Sequence, residues 1–179
     1  MEKITTPIEG LFLIKLKIFH DERGFFTERF NHSEFSKLGF DYNFVQDNHS
    51  FSKKNVARGL HAQAGQAKLV GAISGSIYDV AVDIRPNSKT YGKYFAAELS
   101  QENGLMLFIP DGFLHGFKVT SEDGANVLYK VTDYYSPLSQ FGVNPFDPEI
   151  SIDWPNKDET IFNQRDLDFK NLKDTDILK

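Results

Sequence analysis

"AKLVGAISGSIYDVAVDIR", residues 67–85, decides the fold class. Two runs rich in Val, Ile and Ala flank Gly75-Ser76, each short and bounded by turn residues, which is a strand signature rather than a helical one. The pair is expected to form a hairpin. Working outward, the same pattern recurs. Upstream, "GLFLIKLKIFH" (10–20) reads as one partly alternating strand that stops at the acidic turn "DERG", and "GFFTERF" (24–30) alternates again. "NHSEFSKLGF" (31–40) breaks the series with a short helix, capped by Asn31 or Ser33 and closed by Gly39. "YNFVQDNHSFS" (42–52) returns to strand with one polar side. Downstream come "TYGKYFAAELS", "GLMLFIP", "GFLHGFKVTS" and "ANVLYKVTDYYS", separated by turns at Asn103-Gly104, Pro110-Asp111-Gly112 and Asp123-Gly124. Short strands at this regular spacing predict an all-β antiparallel sandwich or jelly roll.

The predicted body is residues 1–155. Beyond "FDPEISIDWP" the chain becomes charged and loses its alternation, so 156–179 reads as a C-terminal extension with room for one short helix, packed on the body. At 179 residues the chain can bury a full core. Seventeen Phe and seven Tyr suit a β-sandwich interior. A net charge of −5 argues against nucleic acid as a partner, although a local basic pocket is compatible with it. The absence of Cys excludes disulfides and thiolate metal sites. "MEKITTPIEG" has no apolar h-region and no run is long enough to span a bilayer, so a cytoplasmic location is expected.

Polar residues that a strand core holds only at a cost gather in five stretches: "DERGFFTE", "VQDNHS", "RGLHAQ", "FLHGF" and "VLYKVTDYYSP". The third lies in "NVARGLHAQAGQAKLV" (55–70), which reads as a small-residue loop carrying Arg58, His61 and Lys68 into an apolar strand. Each residue has an ordinary reading when taken alone. His61 and His115 would be hydrogen-bonded histidines, Tyr129 a core aromatic, Lys68 a strand terminus, and Arg23 the partner of Asp21 and Glu22 in a surface turn. His20, His32 and His49 are assigned no task.

Taken together and in order, "DERGFF", "FVQDNHS", "KKNVARGLH", "YDVAVDIR", "IPDGFLHGF" and "LYKVTDYYSP" resemble the dTDP-4-dehydrorhamnose 3,5-epimerase family, nucleotide-sugar epimerases with a cupin-type jelly roll. The resemblance runs from about residue 8 to about residue 166. It implies a cofactor-independent epimerase that inverts C3 and C5 of a dTDP-linked 4-keto-6-deoxyhexose. It assigns His61 as base, Asp166 of "NQRD" as the carboxylate orienting it, Tyr129 as the acid on the opposite face, and Lys68 as the cation beside the enolate. His115 lines the same pocket. Arg23, Arg58 and Arg165 match cationic contacts, Gln46, Asn48 and Gln140 polar ones, and Phe26 and Tyr135 flat surfaces for the base. The resemblance also implies a homodimer in which the N-terminal segment, with Arg23, Phe26 and Glu28, completes the neighbouring site.

These residue types suit the chemistry. Removing a proton α to a ketone near pH 7 calls for a base such as imidazole, with an ordinary pKa of about 6.5. A phenol, with an ordinary pKa of about 10, stays protonated and can return a proton. Guanidinium pairs with phosphate oxygens through parallel donors. A metal-dependent reading is weaker: metal-binding cupins place a second His two residues on, and here the stretch is His61-Ala62-Gln63.

The chain departs from the family pattern at four places. Ala62 stands where an aromatic is usual, the 62–67 loop is short, Gly71 replaces Arg, and Gln140 replaces Glu. All four are expected to bear on substrate choice. They leave open a single-centre epimerase of another nucleotide deoxysugar, a 3,4-ketoisomerase on the same fold, or a binding module without turnover.

Overall fold

The computed structural model describes residues 1–175; residues 176–179 of the predicted extension lie outside the described residues. Two antiparallel sheets stack face to face. The first has six strands in the order β1 (Glu2–Thr5), β2 (Phe12–Lys15), β10 (Leu105–Ile109), β7 (Lys68–Ser74), β12 (Ala125–Val131) and β5 (Gln46–Ser52). The second has five, in the order β13 (Gln140–Gly142), β6 (Ala57–Gln63), β11 (Phe113–Val119), β8 (Ser76–Asp83) and β9 (Tyr94–Ser100). The two remaining strands, β3 (Ile18–Asp21) and β4 (Gly24–Thr27), form a separate ribbon closed by the "DERG" turn. The all-β jelly-roll expectation holds.

The hairpin expected across Gly75-Ser76 does not form. β7 pairs with β10 and β12, whereas β8 pairs with β11 and β9 in the opposite sheet. Gly75, at φ +68°, is a corner between sheets. A Cβ there would lie 2.2 Å from the Gly124 carbonyl oxygen, so only glycine permits the crossing. Two further expectations are corrected. "GLFLIKLKIFH" is two strands rather than one, because the chain leaves the large sheet after Lys15. The supposed loop around His61 is strand β6, with only 64–67 left as a turn. β1 and β13, too short to show a period, carried no strand signal.

Alternation was weak because most central strands are buried on both faces. Between the sheets lie Val70, Ala72, Ile77, Ala81, Leu99, Leu107, Phe113, Phe117 and Val127. The outer face of the large sheet (Ile14, Leu69, Met106, Phe108) is covered by Phe35 of helix α1 (His32–Lys37) and by Phe40. Asn31 caps that helix by accepting from the Glu34 N–H at 3.3 Å. The outer face of the small sheet (Leu60, Val80, Val82, Leu114) is covered by Ile150, Ile152 and Trp154 and, from the extension, Leu172. Burying a side chain of this size contributes about 1.5–3 kcal/mol.

The extension is anchored to the body at two points before its helix. The buried Lys118 ammonium donates to the carbonyls of Pro155 and Asn156 and to Thr160 Oγ1. Ile161 bridges Val56, donating to the Asn55 carbonyl and accepting from the Ala57 N–H. Asn163 then caps helix α2 (Gln164–Leu167) by accepting from the Asp166 N–H at 2.7 Å.

Candidate active site

A cavity of about 270 Å³ opens between the two sheets at the β5/β6 side. The small sheet contributes His61 and His115, which face each other across the β6–β11 pair. The large sheet contributes Lys68 of β7, Tyr129 of β12, and Gln46 and Asn48 of β5. Tyr129 is registered against Asn48 on one side and Val70 on the other. The two walls therefore present different chemistry: imidazoles from one sheet, a phenol and an ammonium from the other.

His61 owes its position to a close approach of β6 and β11. Gly59 has φ +122°, and a Cβ there would fall 2.5 Å from Gly116 Cα. No other residue fits. Gly116 is equally constrained, with the Arg58 carbonyl oxygen 2.8 Å from its would-be Cβ. The glycines of "RGLH" and "LHGF" thus let the two histidine strands meet.

Asp166, 1% exposed, accepts from His61 Nε2 at 2.8 Å through one oxygen and from the Gly59 N–H at 3.1 Å through the other. A carboxylate oxygen accepts from an imidazole N–H, so in the neutral ring this contact selects the tautomer with its proton on Nε2 and its lone pair on Nδ1. His115 has a matching partner: Asp79, fully buried, accepts from its Nε2 at 2.8 Å. The second Asp79 oxygen has no hydrogen-bond partner among the described residues. Asp79 is a site residue the sequence reading did not assign, although a carboxylate inside the apolar run "YDVAV" was a visible signal.

Burial brings the Lys68 ammonium down to about 8, with the Asp79 carboxylate opposing the shift. Tyr129 moves the other way: burial raises its hydroxyl pKa, tempered by the Arg58 guanidinium. Lys68 is therefore a cation at neutral pH that can be discharged in weak base, and Tyr129 remains a proton donor. Arg58 spans the mouth, donating to Ser52 Oγ at 2.9 Å and to the Phe51 carbonyl at 3.4 Å.

Tyr135 and Gln140 border the cavity as expected. Arg165 does not line it but reaches its rim, donating to Gln140 Oε1 at 2.9 Å, and Tyr135 donates its hydroxyl to the same oxygen at 3.3 Å. Arg23, Phe26 and Glu28 do not reach the cavity of their own chain. Arg23 is exposed and paired with Asp21 at 2.5 Å, Phe26 stacks on Phe19 along the ribbon, and Glu28 accepts from Asn31. Ala62 borders the cavity while packing into the outer cluster of the small sheet. Gly71 faces away from it. A Cβ there would sit 2.6 Å from Arg29 Nη2 and 3.0 Å from Met106 Cγ, so this glycine makes room for Arg29 on the outer face of the sheet. That overturns the expectation that Gly71 bears on substrate choice.

The dTDP-4-dehydrorhamnose 3,5-epimerase family model matches residues 5–174. The chain belongs to that family. It is 49% identical over 170 residues to the dTDP-4-dehydrorhamnose 3,5-epimerase of Escherichia coli K12, spanning 93% of this chain and 91% of the relative. It superimposes with a TM-score of 0.94 on a dTDP-6-deoxy-D-glucose-3,5-epimerase from Legionella pneumophila, 44% identical and bound to dTDP-4-keto-L-rhamnose, over 98% of this chain and 94% of that one. A dTDP-4-dehydrorhamnose 3-epimerase from Streptomyces niveus is 35% identical over 83% of this chain and 73% of the relative. Members of the family thus share the scaffold while differing in how many carbons they invert.

Proposed function

We propose that the protein is a 3,5-epimerase of a dTDP-linked 4-keto-6-deoxyhexose, working without a cofactor. The observation that carries this reading is a base and an acid on opposite walls of one cavity, His61 on the small sheet and Tyr129 on the large. His61 Nδ1 removes the proton α to the ketone, and the resulting imidazolium is held by the Asp166 carboxylate. The electron pair moves onto the ketone oxygen. Lys68, with His115 beside it, supports that oxyanion where its charge develops. Tyr129 returns a proton to the carbon from the opposite face, inverting it, and is recharged from solvent as His61 releases the proton it took. C3 and C5 both lie α to the C4 ketone, so one base and one acid serve either carbon in turn.

The diphosphate and nucleoside ends fall to Arg58, Gln46, Asn48, Tyr135 and Gln140, with Arg165 at the rim. In this reading residues 156–179 act as an extension that supplies the base's carboxylate. Two chains exchange their β3–β4 ribbons, so that Arg23, Phe26 and Glu28 close the neighbouring cavity. Support for the exchange comes from Phe26, 68% exposed on a ribbon that pairs with neither sheet of its own chain. Among the described residues no helix is long and apolar enough to cross a membrane. We assign the enzyme to the cytoplasm.

Turnover in deuterated water tests the reaction. Each inverted carbon acquires one solvent deuteron, so NMR of the product is expected to show label at both C3 and C5 of the dTDP-sugar. Label at one carbon alone would identify a single-centre epimerase. No exchange with this sugar nucleotide would overturn the proposal.

A further inference from the structure

His61 and Gln63 stand two residues apart on β6, and both border the cavity. His61 meets the reacting end. Gln63 is turned to a different task. It is 4% exposed, and both ends of its amide are engaged with the backbone on either side of Tyr135. Its Nε2 donates to the Tyr134 carbonyl at 2.8 Å, and its Oε1 accepts from the Ser136 N–H at 2.9 Å. One planar group thus grips the two peptide units that flank a single residue, as a neighbouring strand would. The Tyr135 N–H is held in turn by Gln46 Oε1 at 3.4 Å, and Gln66 Nε2 donates to the Asp133 carbonyl at 2.9 Å. The Tyr135 ring is left to project at the mouth, 58% exposed, tied only through its hydroxyl to Gln140.

We infer that Gln63 is a positioning residue: it fixes Tyr135 over the cavity and thereby sets affinity for the nucleoside end of the substrate, without part in proton transfer. The inference rests on the proposed sugar-nucleotide reading of the cavity. Its physical basis is preorganisation. An exposed aromatic on an unpaired turn loses freedom when a ligand stacks on it, and a turn already ordered by Gln63 avoids most of that loss. The amide is suited to the task because it presents an N–H donor and a carbonyl acceptor side by side with no charge to desolvate.

The test uses the full chain with dTDP as the binding probe and the 4-keto sugar nucleotide as substrate. Gln63→Met keeps the volume and removes both bonds. It is expected to raise KM and the Kd for dTDP about tenfold while kcat stays within about threefold. In a Tyr135→Ala background the same change is expected to add less than about twofold, because its effect runs through that ring. Gln63→Glu supplies the rescue: as pH falls the carboxyl takes up a proton and again offers one O–H and one acceptor, so its dTDP affinity relative to the parent recovers between about pH 8 and pH 5. Loss of kcat in parallel with affinity, or a full tenfold penalty persisting without the Tyr135 ring, overturns the inference and leaves Gln63 a general support of the turn. Unchanged dTDP affinity in Gln63→Met, with the parent binding normally, overturns it alone. A parent that does not bind dTDP overturns the functional reading and this inference with it.

Discussion

His61 and His115 sit opposite each other, each on a buried aspartate, yet their surroundings are unequal. Both oxygens of Asp166 are occupied, one by His61 and one by the Gly59 N–H, whereas Asp79 keeps one oxygen unpaired. The saturated pair is the one built to hold an imidazole in a single tautomer. Asp166→Asn is expected to lower kcat by about 10²–10⁴ with little loss of fold, measured by turnover and circular dichroism. Lys68 provides the pH dependence. Its folded pKa lies below that of a free lysine, so it is charged below about pH 8 and neutral above it. In the free enzyme, kcat/KM is expected to fall as pH rises through about 8, and Lys68→Met removes that limb together with most of the activity. Asp79 opposes the depression, so Asp79→Asn is expected to move the limb to lower pH. The same sign governs stability: burying the cation weakens the fold below about pH 8, and this cost is relieved as pH rises toward the free-lysine value.

At the scale of elements, the site depends on two close fits. Strands β6 and β11 approach through Gly59 and Gly116, and Gly59→Ala forces a Cβ against backbone at a positive φ. A loss of at least about 3 kcal/mol is expected in urea unfolding, because backbone cannot yield as a side chain can. The second fit is the extension, whose 155–160 segment is held on the body by Lys118. Lys118→Met removes the charge-assisted hydrogen bonds to Pro155, Asn156 and Thr160 and is expected to cost about 1–3 kcal/mol. Activity is expected to fall beyond what that destabilisation explains, since Asp166 lies further along the same segment. Comparing turnover with folded fraction at several temperatures separates the two effects.

For the whole molecule, the proposed ribbon exchange makes a numerical prediction. If the ribbons exchange as proposed, Arg23→Ala and His61→Asn, each expected to be nearly inactive alone, carry their defects in different chains of one shared site. Mixed and allowed to reassort, half of the dimers are hybrids and each hybrid holds one intact site. About a quarter of parental activity is therefore expected to return, read by turnover after refolding the mixture. Independent monomers would recover nothing.

The residues alone determined the class of fold, because short apolar runs cut by Gly, Asn and Asp turns can bury themselves only as stacked sheets. The ordered blocks around His61, His115 and Tyr129 carried the family as well, since those glycines, histidines and aromatics are specific in type and sequence. Which strand pairs with which was beyond local reading: 67–74 and 76–83 look like a hairpin, but the fate of Gly75 depends on Gly124, far along the chain. The same holds for Asp79, Gln63 and Gly71. Their roles follow from what faces them across a sheet or on the next strand, and contacts between residues distant in the chain exist only once the tertiary structure has formed.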